Sequence, residues 1–459
     1  MAAKKLHFLG VAGYTMRGIA VAAVELGYAV TGTDADAYPP GSDWLDEHGL
    51  TWWRQPDAAH VEGVDTVIIS GGTPTDDVEL VAAQKQGIPI VSYAEFVGGL
   101  VATKRRIVVA GTHGKTTVTS LIAWLLESGG LHPDFLIGIQ PHNFDSSVRI
   151  SDSKVMVLEG DEYKASVLEE RSKFDYYRPD VLVATSLEMD HPDLFKSVAE
   201  IEGRFAALAQ GLPAAGRLLY WSGSKQLAEI AKEVGSRAES YGDVGTWHSE
   251  HVQLGPVGLS FDLYRGDDHQ GHVTAPLYGR HNVDNVTAAV VAALGEGLSI
   301  EQIQTGLNDF RGVARRFEVV SAPQAKITVI DDYAHHPTEI AAVIAAAKQH
   351  FGRRVVAVVR PHTYSRVHEL LGGYRTAVAT ADLAFVTEIE GAREAGGAAV
   401  VSGEDIARDN GDHVFFGPDR ARLVERVVEA AKPGDVVVCM TVSGYDGLAA
   451  ELAERTAKI

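Results

Sequence analysis

The stretch RIVVAGTHGKTTVTSLIAWLLES, residues 106–128, joins an apolar run, a glycine-rich loop and a run with helical spacing. This order of strand, loop and helix is typical of phosphate-binding folds. Glycines let backbone N–H groups approach a phosphate, Lys115 reaches its outer oxygens, and the hydroxyl of Thr116 suits Mg²⁺. The spacing differs from the usual P-loop, because only two residues separate Gly111 from Gly114. The sequence therefore predicts a shortened phosphate loop, with a merely structural loop as the alternative.

Length and composition limit the class of protein. The chain has 459 residues and a net charge of −20, from 41 basic and 61 acidic side chains. This length favours about three domains, and the acidic balance argues against a nucleic-acid or anionic-membrane partner. The single cysteine, Cys439, excludes an internal disulfide and a cysteine-cluster metal site. Because neither a signal-peptide segment nor an apolar run long enough to span a membrane is found, we expect a cytoplasmic protein.

Apolar runs that end in glycine or polar residues alternate with helical patterns along the chain. Such alternation predicts an α/β fold with parallel sheets and helices on both faces. The first module ends at the linker-like GGLVATKRR, residues 98–106, and the second ends around GVARRF, residues 312–317. We expect an N-terminal Rossmann-like domain over residues 1–103, a central P-loop ATPase-like domain with a mostly parallel sheet over 104–318, and a C-terminal Rossmann-like domain over 319–459.

The first module carries another glycine-rich loop, GVAGYTMRG, residues 10–18, between a strand and a helix. Backbone N–H groups at such a helix start can face a diphosphate, helped by the helix dipole. Asp34 ends the next predicted strand, where a dinucleotide fold binds a ribose. The same glycines would also serve tight helix–strand packing, so this loop alone does not decide the function. A nicotinamide-dependent dehydrogenase is one rival class, but it leaves the GTHGKTT loop unexplained.

Acidic residues follow the strand VMVLEG in the second module. Glu159, Asp161 and Glu162 stand together there, and Asp190 and His191 follow the strand VLVATSL. Carboxylates at the carboxyl end of a parallel strand, in the same module as a phosphate loop, suit Mg²⁺. An imidazole can bind a second ion or orient a phosphate. Solvated turn residues are the alternative for each of these side chains.

Polar residues also mark the later strand and helix ends. Asn282 and Asn285 begin a helix on one face, where amides suit an adenine edge or where one of them caps the helix. Arg315 or Arg316 suits the charge of a γ-phosphate, and Asp332 suits the ATP ribose. The stretches DDYAHHPTE and RPHTYSR place acids, histidines and arginines at successive strand ends of the third module. This arrangement predicts a pocket for a second substrate.

The motifs in this order resemble the Mur ligase family, the ATP-dependent amide-forming enzymes of peptidoglycan synthesis. The resemblance covers nearly the whole chain and rests on GVAG-x₃-RGIA, GTHGKTT, EGDEY, DH, GRHN-x₂-N, RRF and DDYAHHPTE. The shortened loop is similar to that family's ATP loop. The resemblance implies ATP and Mg²⁺ as cofactors, phosphorylation of a substrate carboxylate by ATP, and attack of an amine on the acyl phosphate. A nucleotide-binding regulator without catalysis is the second rival class.

The resemblance also implies roles for individual residues. The expected catalytic residues are Lys115, Glu159, His191 and Arg316. The expected metal-binding residues are Thr116, Glu159 and His191. The residues expected to bind ATP are Gly111, Thr112, His113, Gly114, Lys115, Thr116, Thr117, Asn282, Asn285, Arg316 and Asp332. The residues expected to bind the UDP-sugar are Gly10, Gly13, Tyr14, Thr15, Met16, Asp34 and Ser70. The residues expected to bind the acceptor are Tyr333, His335, His336, His362 and Arg366.

The acid substrate implied by the resemblance is UDP-N-acetylmuramate, bound by the N-terminal module. DEY and the RSKF stretch, residues 171–174, resemble the branch that adds a preformed L-alanyl-γ-D-glutamyl-meso-diaminopimelate tripeptide in peptidoglycan recycling, and we predict this acceptor. RPHTYSRVHEL instead resembles the branch that adds L-alanine, which is the alternative, together with a related enzyme acting on a non-peptidoglycan acid. We expect a monomer or homodimer whose partners are these small molecules.

Overall fold

The computed structural model describes residues 3–37, 41–192, 194–391, 394 and 400–459. Backbone contacts divide the chain into two compact units. Unit 1 comprises Met1–Leu187, Ile201–Trp247 and Ala288–Arg311. Unit 2 comprises Glu188–Glu200, His248–Thr287 and Gly312–Ile459. The boundaries of the three predicted domains, after residues 103 and 318, stay predictions.

Unit 1 contains the strands and helices of the first module and most of those of the second. Its strands are β1 Lys5–Leu9, β2 Ala29–Thr33, β3 Thr51–Trp53, β4 Thr66–Ile69, β5 Ile90–Ser92, β6 Arg105–Ala110, β7 Asp134–Leu136, β8 Val148–Arg149, β9 Val155–Gly160, β10 Val181–Ala184, β11 Arg217–Trp221 and β12 Ala238–Tyr241. Its helices are α1 Tyr14–Glu25, α2 Gly41–Glu47, α3 Val78–Gln86, α4 Tyr93–Leu100, α5 Lys115–Ser128, α7 Lys225–Val234 and α9 Ile300–Asn308. The elements that begin in one unit and end in the other are β13 Trp247–Gly255, α6 Val198–Gln210 and α8 His281–Gly295.

The first sheet of unit 1 is entirely parallel. In the described part of the chain its five strands lie in the order β3-β2-β1-β4-β5. The runs LHFLG, AVTGTD and DTVIIS supply β1, β2 and β4, which confirms the strands predicted for the first module. Parallel pairing places the carboxyl ends of these strands at one edge, so the loop after β1 lies beside the end of β2.

The second group of strands in unit 1 is mostly parallel. The strands lie in the order β12-β11-β10-β6-β9-β7-β8, and among the described residues of this group only β7 and β8 pair antiparallel. β6 therefore lies between β9 and β10, with all three strands parallel. Their carboxyl ends meet at one edge, where the GTHGKTT loop, the EGDEY stretch and the residues after β10 come together. This edge carries the residues predicted to bind ATP phosphates.

Unit 2 contains an antiparallel hairpin and the sheet of the third module. Its further strands are β14 Gly258–Arg265, β15 Asp268–Ala275, β16 Glu318–Val319, β17 Thr328–Asp332, β18 Val355–Val359, β19 Leu383–Val386, β20 Val414–Phe416 and β21 Val436–Met440. Its helices are α10 Pro337–Phe351, α11 Tyr364–Ala379, α12 Gly403–Ala407, α13 Arg420–Ala430 and α14 Leu448–Thr456. β14 and β15 form the hairpin, and the sheet has the order β16-β17-β21-β18-β19-β20 with only β16 and β17 antiparallel.

The sheet of unit 2 is buried on both faces. In β18, Val355, Ala357 and Val359 pack into one core, whereas Val356 and Val358 pack into the other. Strands that are covered on both faces have continuous apolar sequences, as VVAVV does here. The three-layer arrangement confirms the predicted α/β class. Among the described residues, no helix combines the length and the apolar composition needed to cross a membrane.

Candidate active site

The phosphate loop of unit 1 is shaped by its two glycines and by the end of a neighbouring strand. Gly111 and Gly114 have φ angles of 149° and 81°, a region that side-chain-bearing residues rarely adopt. The amide of Thr112 donates to the Ser186 carbonyl at 3.1 Å, and the amide of His113 donates to Ser186 Oγ at 2.8 Å. Thr185 Oγ1 donates to the His113 carbonyl at 2.5 Å. The residues after β10 therefore hold the loop in place.

Lys115 lies at the centre of this loop. Its Nζ donates to the Gly111 carbonyl at 2.6 Å and to Glu162 Oε2 at 3.2 Å. Burial lowers the pKa of the Lys115 ammonium, but the carboxylates of Glu162, Asp161 and Glu159 raise it by more, to above its usual value. The side chain is therefore cationic at every physiological pH. It is a buried positive charge at the sheet edge that carries the predicted phosphate site.

Thr116 and Glu159 meet at the same edge. Thr116 Oγ1 donates to Glu159 Oε1 at 2.8 Å, and the amide of Gly138 donates to Glu159 Oε2 at 2.7 Å. Burial and the nearby charge of Asp161 raise the pKa of the Glu159 carboxyl, although the amide of Gly138 and the charge of Lys115 oppose this shift. A second cation beside this carboxylate would therefore stabilise its ionised form. The pair provides two oxygens of the kind that Mg²⁺ prefers.

The residues present fit a nucleotide phosphate and a divalent ion. α5 begins at Lys115. Its N-cap residue, Gly114, has no side chain that could accept hydrogen bonds from the first amides of the helix. An ideal Cβ on Gly111 would fill the loop, since it would clash with Thr185 and lie 2.8 Å from the Ser186 amide nitrogen. Helix-start amides, an ammonium and carboxylate oxygens are the donor set that phosphate and Mg²⁺ require.

The residues predicted to bind the UDP-sugar lie around the start of α1. Gly10 has a φ of 77°, and the amide of Ala12 donates to Asp34 Oδ2 at 2.9 Å. The Asp34 carboxylate therefore supports the loop from the end of β2. Tyr14 is exposed, with the Arg17 guanidinium carbon 4.1 Å from the centre of its ring.

The other members of this predicted set lie nearby in the sequence or at the end of β4. Thr15 belongs to the first turn of α1 and is followed by Met16, whose side chain packs in the core. Gly13 precedes the helix, and its amide donates to the Gly10 carbonyl at 3.3 Å. Ser70 follows β4, and its amide donates to Thr73 Oγ1 at 3.1 Å. Their contact with a UDP-sugar stays a prediction.

The two asparagines predicted at the adenine bind each other. Asn282 lies in the first turn of α8, and its Nδ2 donates to the Tyr278 carbonyl at 2.7 Å. Asn285 Nδ2 donates to Asn282 Oδ1 at 2.9 Å, as their spacing of three residues on one helix allows. Asn282 therefore anchors the start of α8, and Asn285 reaches it from the next turn. Adenine binding by these side chains stays a prediction.

The two adjacent arginines before Phe317 make different contacts. Arg315 Nη1 donates to the Val442 carbonyl at 2.6 Å, and its Nη2 donates to Thr441 Oγ1 at 3.1 Å. These bonds tie the start of the third module to the end of β21. The guanidinium carbon of Arg316 lies 5.1 Å from the centre of the Tyr333 ring. Of the two, Arg316 remains the residue predicted to meet the γ-phosphate.

Asp332 is a buried carboxyl group at the end of β17. Its oxygens accept hydrogen bonds from the amides of Phe317 and Ala334, each at 2.7 Å. Burial raises its pKa to about 6, although the charge of Arg316 and the two amides oppose this shift. The carboxylate therefore joins the backbone just after Arg316 to the backbone just after β17. Its contact with the ATP ribose stays a prediction.

The raised pKa of Asp332 predicts a pH-dependent contribution to stability. Asp332 binds its proton more tightly in the folded chain, so its stabilising effect is complete below about pH 4 and is lost as pH rises through about 6. Relative to Asp332→Asn, the free energy of unfolding of the wild type should fall by about 3 kcal/mol between these limits. Urea unfolding at several pH values measures it. Asp382→Asn is the control with the opposite sign, because hydrogen bonds from the Val355 amide and Lys348 outweigh burial and lower the pKa of Asp382. Parallel stability curves for wild type and Asp332→Asn would contradict the assignment.

The residues predicted to bind the acceptor cluster in unit 2 around His335. The ring of His335 lies 5.5 Å from that of Tyr333 and 6.0 Å from that of His362, between ring centres. Burial, together with the charge of Arg366, lowers the pKa of His335 to about 3, so its imidazole is neutral near pH 7. A neutral, partly apolar surface of this kind suits an uncharged amine nucleophile.

His336 and Arg366 have structural contacts of their own. His336 is the N-cap of α10, with its Nδ1 accepting from the Thr338 amide at 3.2 Å. Arg366 lies on α11, is 1% exposed, and contacts Asp190 and His191. Asp190 and His191 belong to unit 2 by their contacts, although the sequence predicts them in the central domain. The structure thus brings Tyr333, His335 and His362 together and places Arg366 against His191.

Residues that were not predicted from the sequence support the phosphate loop and the Glu159 carboxylate. Thr185 and Ser186 support the phosphate loop, and Gly138 binds Glu159 through its amide. Thr185 and Ser186 could have been predicted, because they directly follow the apolar run VLVA in the same module as the loop. Nothing in the local sequence indicates Gly138, because its contact depends on the pairing of β7 with β9.

Comparison with known protein families finds matches to successive parts of this chain. Residues 5–105 match the family described as Mur ligase family, catalytic domain. Residues 109–293 match the Mur ligase middle domain, and residues 315–441 match the Mur ligase glutamate ligase domain. The three matches follow one another in the order of the predicted modules.

Individual relatives match over nearly the full length. A protein of Burkholderia cenocepacia named UDP-N-acetylmuramate–L-alanine ligase is 34% identical, over 98% of this chain and 98% of its own. The solved UDP-N-acetylmuramate–alanine ligase of Thermotoga maritima has a TM-score of 0.82 over 99% of both chains at 22% identity, which shows the fold. A solved UDP-N-acetylmuramate:L-alanyl-γ-D-glutamyl-meso-diaminopimelate ligase of Neisseria meningitides has a TM-score of 0.64 at 32% identity, over 68% of this chain and 100% of its own.

Proposed function

This chain belongs to the Mur ligase family, and we propose that it joins L-alanine to the lactyl carboxylate of UDP-N-acetylmuramate, with ATP converted to ADP and phosphate. It is an ATP-dependent ligase of peptidoglycan synthesis that forms a C–N bond and uses ATP and Mg²⁺. The observation that carries the choice of L-alanine is the full-length similarity to relatives named for that amino acid. This choice replaces the tripeptide predicted from the sequence.

The segment that suggested the tripeptide has contacts that explain its sequence without an acceptor. Residues 161–176 belong to unit 1, where Lys173 Nζ donates to Asp161 Oδ2 at 3.0 Å and lies 5.4 Å from the centre of the Tyr93 ring. The Tyr176 carbonyl packs against Gly98 so closely that a Cβ there would lie 2.6 Å from it. Both Tyr93 and Gly98 belong to α4. Lys173 of the RSKF stretch therefore packs on the first module.

The tripeptide remains the second candidate on one observation. The solved Neisseria meningitides ligase, whose name specifies the tripeptide, reaches 32% identity over the part of this chain that it covers. That figure is comparable to the identity of the relatives named for L-alanine, although it extends over less of the chain. A direct assay of both acceptors is therefore the test of the proposed function.

In the proposed reaction the lactyl carboxylate takes the γ-phosphoryl group of ATP, and the amine of L-alanine then displaces phosphate. The ammonium of Lys115 offsets the repulsion between the two anionic reactants, and the helix-start amides of α5 orient the phosphates. Thr116 and Glu159 are the residues that would hold Mg²⁺ in unit 1. The ion supplies charge neutralisation at the phosphates. The neutral imidazole of His335 adds no positive charge of its own beside the amine.

The experiment compares phosphate release from ATP with UDP-N-acetylmuramate and either L-alanine or the murein tripeptide. We expect kcat/KM with L-alanine to exceed that with the tripeptide by about 100-fold or more. Reactions without the amine and without the sugar nucleotide are the controls, and both should remain silent. Turnover with the tripeptide alone would establish the second candidate. Equal turnover without either substrate would contradict the ligase assignment at this site.

A further inference from the structure

Arg366 is a buried cation whose partners are residues of the same unit. Its Nε donates to Asp190 Oδ1 at 2.7 Å, and its Nη1 donates to the carbonyl of His362, which precedes α11. Its Nη2 lies 3.0 Å from Nδ1 and 3.1 Å from Nε2 of His191. The guanidinium therefore faces Asp190 and His191, the pair that follows the strand VLVATSL.

The contact between Arg366 and His191 is made through the face of the imidazole. The two ring nitrogens lie on either side of Cε1, so a donor in the ring plane at equal distance from both would collide with that carbon. Nη2 is nearly equidistant from both nitrogens, which places it over the ring. A contact over the face leaves the direction of each in-plane lone pair to other partners. It fixes the tilt of the ring without using the atoms that bind a metal.

Asp190 completes the support of His191. Asp190 Oδ1 accepts from the His191 amide at 2.8 Å, and its Oδ2 lies 3.2 Å from His191 Nε2. A histidine that binds a metal usually donates its other ring N–H to a carboxylate, which fixes the tautomer and the orientation of the ring.

The short segment that carries this pair is anchored to α10 as well. His336 Nε2 lies 3.3 Å from the Met189 carbonyl, and Thr338 Oγ1 donates to Glu188 Oε2 at 3.0 Å. Together with Arg366 on α11, these bonds attach residues 188–191 to the first turns of two helices of the third module. The backbone of His191 itself is held at a φ of 53°, which side-chain-bearing residues seldom adopt. Such a conformation persists only where its surroundings hold it.

We propose that Arg366 is a positioning residue that orients His191 for a divalent metal ion, and that it does not bind the acceptor amine. The assignment rests on the proposed function in one respect, because the metal role of His191 comes from the family. In this arrangement Arg366 contacts both Asp190 and His191 and restrains the imidazole ring. The third module thereby sets the geometry of a residue that the sequence places in the second.

The test measures metal affinity without turnover. Mn²⁺ is titrated into the full chain with a non-hydrolysable ATP analogue, and binding is followed by electron paramagnetic resonance. Arg366→Met should weaken the His191-dependent Mn²⁺ binding by about 10-fold or more, and Arg366→Lys should recover part of the loss. Arg375→Met is the matched control, since Arg375 lies on the same helix and its Nε donates to the Asp405 carbonyl at 2.9 Å. Its Mn²⁺ affinity should equal that of the wild type.

The outcomes separate this inference from the proposed function. An unchanged Mn²⁺ affinity with a raised KM for L-alanine in Arg366→Met would overturn the inference and return Arg366 to the acceptor site. If Arg366→Met does not fold, the Mn²⁺ affinities of Arg366→Lys and Asp190→Asn provide the test. Wild-type affinity in both variants would also overturn the inference. Because the titration contains neither the sugar nucleotide nor an amine, its result stands even if the wild type proves inactive with L-alanine.

Discussion

Lys115→Ala is expected to lower the rate of ADP formation by about 10³-fold, the cost of removing one preorganised charge from a transition state. The ammonium lies at the carboxyl edge of the sheet, bound to the Gly111 carbonyl and to Glu162. The loop sequence GTHGKTT contains no other lysine and no arginine. Binding of UDP-N-acetylmuramate should persist, because the residues predicted for it lie in the first module. The measurement is ADP release with all three substrates, together with calorimetric titration of the sugar nucleotide.

Two further variants separate chemistry from folding in this experiment. Removing Lys115 leaves the charge of Glu162 without its partner, which by itself destabilises a buried site. The double variant Lys115→Met/Glu162→Gln should regain thermal stability and remain inactive. Lys104→Ala is the matched control, because Lys104 is also buried, pairs with Asp134, and lies outside the loop. Normal ADP formation by a folded Lys115→Ala protein would contradict the assignment of the ATP site.

Gly111→Ala should abolish ATP binding at micromolar concentration and destabilise unit 1 by about 2 kcal/mol, from overpacking and backbone strain. The new Cβ would clash with Thr185 Oγ1 and lie 2.8 Å from the amide nitrogen and 2.9 Å from the carbonyl oxygen of Ser186. Two of these atoms belong to the backbone beyond β10 and cannot move without disturbing the strand. The φ of 149° adds strain for any side chain. Titration with a fluorescent ATP analogue and thermal unfolding measure the two effects.

Gly130→Ala is the control for backbone strain alone. Gly130 has a φ of 82°, and a Cβ there would meet no atom within 4 Å. It should lower the melting temperature slightly and leave ATP affinity unchanged. ATP binding of wild-type strength in a folded Gly111→Ala protein would show that the loop tolerates a side chain, and that its glycines do not serve a close phosphate approach.

Local pattern was enough to predict the strand and the helix on either side of the phosphate loop. The apolar run before GTHGKTT forms β6 Arg105–Ala110, and the helical spacing after it forms α5 Lys115–Ser128. These elements follow from the period of their own apolar residues and from glycine at the turn, which are properties of short stretches. The family could be identified for the same reason, because each motif is a short stretch and the order of the motifs is visible in the sequence.

Arg315 and Arg316 are chemically identical neighbours, so the residue types alone left the choice between them open, and the resemblance to the family selected Arg316. In the structure Arg315 bonds to Thr441 and Val442. The acceptor prediction also depended on a local resemblance. RSKF was interpreted as a mark of the acceptor, whereas Lys173 contacts Asp161 and lies near Tyr93. A motif shows which residues occur together, but not which surface they face.

The sequence by itself determined the α/β class, the phosphate loop and the membership in the Mur ligase family, because each depends on residues close together in the chain. Only the tertiary structure decided which side chains support that loop and where Arg366 points. Ser186 lies more than seventy positions from the loop it holds, and Arg366 lies 176 positions from Asp190. Such contacts arise from the parallel pairing of β6 with β10 and from the packing of α11 within unit 2. Their energies depend on burial and distance, which a one-dimensional pattern of residue types does not contain.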